Sequence, residues 1–73
     1  MIESPIYGEY IQLNQFLKKE NIAMSGGEAK MIIESGTVFV NGQEAFEIRK
    51  KLRDGDVVKI ENVGEYIIRA EKQ

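Results

Sequence analysis

Residues 25–42, SGGEAKMIIESGTVFVNG, change their hydrophobic period halfway along. Ser25-Gly26-Gly27-Glu28 has the spacing of a capping box. In that motif the serine hydroxyl accepts from the amide three residues on, and the glutamate reaches back to the cap's own N–H. Ala29, Ile32 and Ile33 then fall at i, i+3 and i+4, one face of a helix. Gly36 supplies the left-handed residue on which helices commonly end, so the spacing predicts a helix over about 26–35. From Thr37 the period drops to two, with Val38 and Val40 on one face and Thr37 and Phe39 on the other. Asn41-Gly42 marks a hairpin, because a type I′ turn requires positive φ at both central residues.

Working outward, Leu13, Phe16 and Leu17 repeat the helical spacing from Gln12, and Lys18, Lys19 and Glu20 close that helix. Ile22, Ala23 and Met24 link the two helices. On the other side, a strand is expected over Gln43–Phe46, a turn at Asp54-Gly55, a strand over Val57–Ile60, a turn at Asn62-Val63-Gly64 and a last strand over Tyr66–Arg69. The fold class is α+β, two short helices packed on a small, mainly antiparallel sheet. Residues 10–70 form one domain, preceded by an irregular or short extended lead-in at 1–9 containing Pro5 and Gly8, and followed by a tail at 71–73. Phe16 and Phe46 are assigned to the core. Phe39 is a core residue of the second face or an exposed stacking platform, and Tyr7, Tyr10 and Tyr66 stay unassigned.

A chain of 73 residues supports a single core worth roughly 3–5 kcal/mol. It has no cysteine and no histidine, which removes thiol nucleophiles, imidazole bases and the commonest zinc ligands. No metal or cofactor is expected. The N-terminal MIESPIYGEY has no basic segment and no long apolar run, so no signal peptide is expected. No apolar stretch approaches the ~20 residues of a membrane span. The expected location is the cytoplasm, with no membrane partner and no small-molecule substrate.

The formal charge is −2, which alone speaks against a generic nucleic-acid binder. Its distribution is uneven. The middle third is the basic part, and its densest run is Arg49-Lys50-Lys51-Leu52-Arg53. This run is a solvated loop or a phosphate-contact patch, with Leu52 as its anchor; Lys18, Lys19 and Lys30 on the helices could extend the same surface. Charges beyond about 8 Å are screened at physiological salt, so a local cluster acts despite the net charge.

The glycine pair is not a nucleotide loop. Neither GxxxxGK(S/T) nor GxGxxG occurs, although free amides at any helix start can take a phosphate oxygen. On capping grounds alone, the simpler account is a capped helix whose glycines permit a tight turn. Asp54-Gly55-Asp56 has the composition of a solvated turn, and no nucleophile–base pair is evident, so no catalysis is expected.

The order of these features resembles the S4 RNA-binding domain, found in a small-subunit ribosomal protein, tyrosyl-tRNA synthetases, pseudouridine synthases and a heat-shock ribosome-binding protein. The matching parts are Leu13 and Leu17, Ser25 and Ala29, Gly36, Val38-Phe39-Val40-Asn41-Gly42, and Gly55-Asp56-Val57-Val58. Ser-Gly-Gly-Glu-Ala-Lys is similar to the short, free-standing bacterial members. The resemblance implies an αL-type fold whose helices and hairpin form an RNA-binding face. That face would include Ser25, Gly26, Gly27, Lys30, Asn41 and Gly42, with Lys18 and Lys19 beside it. Arginines common in relatives are replaced here by Gln12 and Gly26, which implies weaker or more selective binding. The expected function is a non-catalytic RNA-binding module for structured ribosomal or transfer RNA, on the ribosome or another ribonucleoprotein. The alternative is a protein-interaction module that keeps the fold with little RNA affinity; it gains if Lys30 and the 49–53 run point in different directions.

Overall fold

The computed structural model describes residues 1–71. Its elements are β1 (Ile2–Tyr7), β2 (Ile11–Gln12), α1 (Leu13–Lys19), α2 (Gly26–Glu34), β3 (Val38–Val40), β4 (Gln43–Glu44), β5 (Lys51–Leu52), β6 (Val57–Ile60) and β7 (Gly64–Glu71). Five strands form one sheet in the order β1-β7-β6-β3-β4, and β2 and β5 pair separately. All pairings are antiparallel except β1 with β7, so the large sheet is mixed. Leu13, Phe16 and Leu17 from α1, Ala29 and Ile33 from α2, and Val38, Val58, Ile60, Tyr66 and Ile68 from the sheet share one buried cluster. Phe16 meets Tyr66 edge-on, centroids 5.4 Å apart at 81°, a favoured aromatic arrangement.

The period change in 25–42 appears as α2 followed by β3. Ser25 is the N-cap, its Oγ accepting from the Glu28 amide at 3.1 Å. Glu28 reaches back one residue further than the capping box requires, accepting from the Met24 amide at 3.1 Å. Gly36 ends the helix at φ +82°, and Asn41 and Gly42 take φ 51° and 84° in the hairpin. The strand expected over Gln43–Phe46 ends at Glu44. The chain then leaves the sheet: Ala45 donates its amide to the Val38 carbonyl and takes the buried place, and Phe46, expected in the core, is 57% exposed. Phe39 is half-buried on the outer sheet face.

The segment at 1–9, expected as a lead-in, carries β1, which pairs in parallel with β7 from Ile2↔Tyr66 to Tyr7↔Glu71. Its inward positions are Ser4 and Ile6, so one of the two residues that should announce a strand is polar. Pro5 is tolerated because β1 is an edge strand. Of the tail expected at 71–73, Glu71 closes β7, and 72–73 lie outside the described residues.

Ser4 is fully buried because its hydroxyl has partners. It donates to Glu20 Oε2 at 2.6 Å, and Lys19 Nζ donates to both Ser4 Oγ at 3.1 Å and Glu20 Oε2 at 2.9 Å. This triad fastens β1 to the end of α1. Burial raises the Glu20 carboxyl; the hydrogen bonds from Ser4 and Lys19, with the Lys19 charge, more than offset it and leave Glu20 below its ordinary value. A carboxyl depressed by folding contributes stability that is complete above its unfolded value of 4.5 and is lost as pH falls through the lower folded value. Glu20→Gln should therefore flatten the acid limb of stability, read as urea midpoints across pH.

Asn41 is also tied down. Its Oδ1 accepts from the Val57 amide at 2.9 Å and its Nδ2 donates to Asp56 Oδ1 at 3.1 Å. Asp56 Oδ2 accepts from the Arg53 amide at 2.8 Å, and Asp54 Oδ1 from the Ala70 amide at 2.8 Å. The Asp54 and Asp56 carboxylates of this turn thus serve as acceptors for backbone amides and for Asn41. Asn41→Ala should cost about 1–2 kcal/mol in denaturant unfolding through the lost hydrogen bonds and the left-handed φ.

Candidate nucleic-acid interface

The basic run is held by its backbone. Gln12, the N-cap of α1, makes no side-chain cap bond. The first helical amides instead donate to distant carbonyls, Leu13 N–H to Lys50 at 2.8 Å and Asn14 N–H to Ile48 at 3.0 Å. Directly after, β5 pairs with β2 through Ile11↔Leu52 and Gln12↔Lys51, and Leu52 is fully buried. Residues 48–52 therefore run along the start of α1 on a fixed path.

That path divides the cations. Arg49 lines a surface depression together with Asn14, Gly26, Lys30, Glu47 and Ile48. Lys50 lines an adjoining one with Asn41, Gln43, Phe46 and Glu47. Lys51 and Arg53 go elsewhere: their charged groups stand 4.8 and 5.8 Å from the ring centroid of Tyr10. Lys19 is occupied by Ser4 and Glu20. Lys18 is exposed, one helical turn on from Asn14. Gly42 lines a further depression on the outer sheet face with Phe39 and Lys59.

At the start of α2, the first-turn amides have no intrahelical carbonyl, and Ser25 Oγ takes that of Glu28. Neither Gly26 nor Gly27 has a left-handed φ. A methyl group added at Gly26 would meet nothing within 4 Å, and at Gly27 only Ser25 Oγ at 3.9 Å. Neither backbone conformation nor internal packing therefore demands glycine at these two positions. The helix start is a bare ledge opening beside Lys30 and Arg49.

Three residues around these cations escape sequence reasoning. Asn14 Oδ1 is shielded from solvent and has no partner among the described residues; an asparagine in a first helical turn gives no such signal. Phe46 reads as core in a strand over Gln43–Phe46, and only the end of β4 at Glu44 exposes it. Tyr10 is joined to Lys51 and Arg53 by the β2–β5 pairing, which two residues per strand are too short to announce.

The S4 domain family pattern matches residues 4–69 of the chain. The chain is also similar to "Probable ribosome maturation protein RlbA" of Bacillus subtilis (strain 168), with 41% identity over 58 residues, covering 80% of this chain and 82% of that protein. The two-helix, mixed-sheet architecture agrees with the α+β character of that family. With nearly its whole length matched, the chain belongs to the S4 domain family.

Proposed function

We propose that this protein is a non-catalytic RNA-binding module for structured RNA, ribosomal RNA in preference to transfer RNA, working in the bacterial cytoplasm on ribosomal particles. The observation that carries this reading is the glycine pair at the start of α2: nothing inside the fold requires it, and Gly26 opens beside Lys30 and Arg49. Small residues at an amide-rich helix start let a phosphate approach the backbone closely. Lys30 and Arg49 add the countercharge, and Lys50 extends it toward the hairpin. Asn41 supports this face by fixing the hairpin against the 53–57 turn. The name of the Bacillus subtilis relative favours a ribosomal RNA over other structured RNAs.

The second reading is a protein-interaction module. It draws on the acidic pI of about 5.1 and on the split of the basic run, since Lys51 and Arg53 lie at Tyr10 and not beside Lys30. Salt separates the two readings. Phosphate contacts give a log affinity that falls linearly with log salt, by roughly 0.7–0.9 per contact. Lys30→Glu with Arg49→Glu should lower both the affinity for purified ribosomal RNA and that slope.

The glycines give an independent test. Gly26→Ala and Gly27→Ala restrict the unfolded chain and should each raise stability by about 0.4–1 kcal/mol. The same methyl groups stand where a phosphate must approach, so RNA affinity should fall as the urea midpoint rises. Unchanged affinity in both variants would remove the α2 start from the interface.

A further inference from the structure

Lys19, Lys51 and Arg53, which do not gather at α2, form a second group on the other flank of α1. Successive residues of a helix are about 100° apart, so Gln15 and Lys19 face away from the depression that Asn14 borders. They line a groove with Ile6, Tyr7, Tyr10 and Ile11, about 330 Å³ in volume, within the range of small-ligand sites. Tyr7 is 66% exposed and Tyr10 41%. Lys51 and Arg53 border this groove through their contacts with the Tyr10 ring. Among the described residues no carboxylate lines it; the nearby acids are Glu71, paired with Tyr7 across β1 and β7, Glu9, next to Tyr10 in the chain, and Glu20, which is engaged with Ser4 and Lys19.

Two exposed tyrosines on an apolar floor, rimmed by cations, suit a partner that is flat, apolar and anionic at once. An acidic peptide would use the cations and leave the rings unexplained. Single-stranded nucleic acid uses both, because bases stack on aromatic faces while basic groups track the backbone. We propose that this groove binds single-stranded RNA, with an unpaired base against Tyr10 and the adjoining phosphates on Lys51 and Arg53. It rests on the RNA-binding reading above and adds a contact separate from the α2 face. The β2–β5 ladder and α1 lie between the two, so one RNA could place a structured part on one side and a flanking single strand on the other.

The experiment compares a short RNA hairpin with the same hairpin carrying a single-stranded uridine tail. The tail should raise the affinity of the wild-type protein. Tyr10→Ala should lose roughly tenfold for the tailed RNA and leave the untailed affinity unchanged, while Tyr10→Phe keeps both. Lys51→Gln with Arg53→Gln, at exposed positions, should reproduce the Tyr10→Ala pattern with an unaltered thermal melt. With 5-iodouridine in the tail, photocrosslinking should map to Tyr10 by mass spectrometry. If the untailed hairpin binds and the tail adds nothing, or if Tyr10→Ala weakens both RNAs equally, this site is wrong while the α2 interface stands. If neither RNA binds, both proposals fall. Displacement of the tail by polyglutamate at equal charge concentration would assign the groove to an acidic protein segment instead.

Discussion

The start of α1 depends on the segment that carries the densest run of basic residues. Gln12 offers no side-chain cap, so the amides of Leu13 and Asn14 are satisfied by the carbonyls of Ile48 and Lys50. An uncapped helix end is costly when it is shielded from water, and this pairing removes the cost while fixing five consecutive residues of the chain. The side chains of that segment then have set destinations. Arg49 goes to the α2 side, Leu52 to the core, and Lys51 and Arg53 to Tyr10. A run that looks in sequence like one patch of charge becomes two, because backbone hydrogen bonding and a buried leucine determine which way each residue turns.

The elements with a strong local pattern were legible from sequence. Leu13, Phe16 and Leu17 specify α1, the capping serine and Gly36 bound α2, and the Asn41-Gly42 turn defines the hairpin. Strand β6 also occupies Val57–Ile60, the bounds expected after the Asp54-Gly55 turn. What sequence could not supply was pairing between distant segments. Strand β1 is invisible because its inward residues are Ser4 and Ile6, and a buried serine makes sense only with Glu20 and Lys19 beside it. Phe46 was misplaced for the complementary reason. Its hydrophobicity was real, but β4 stops two residues earlier and Ala45 fills the space.

The candidate site shows the same division between local and distant information. Ser25, Gly26, Gly27 and Lys30 are neighbours along one helix start, so their grouping could be read directly. That Arg49 joins them, and that Lys19 does not, depends on the path of the 48–52 backbone and on the Ser4–Lys19–Glu20 triad. Asn41 was expected at the interface for its place in the turn. Its side chain holds Asp56 and the Val57 amide, and the residue borders the same depression as Lys50.

The parallel pairing of β1 with β7 joins the first strand of the chain to the last. Parallel neighbours need a long connection, and here that connection is the rest of the domain. Loop closure over such a span contributes nothing until it is complete, and contacts of this separation slow folding. During synthesis β1 emerges before β7 and waits for it, its only sheet partner among the described residues. Until then Ile6 and Ser4 stay outside the core they will close, and the arrival of β7 decides when the domain becomes whole.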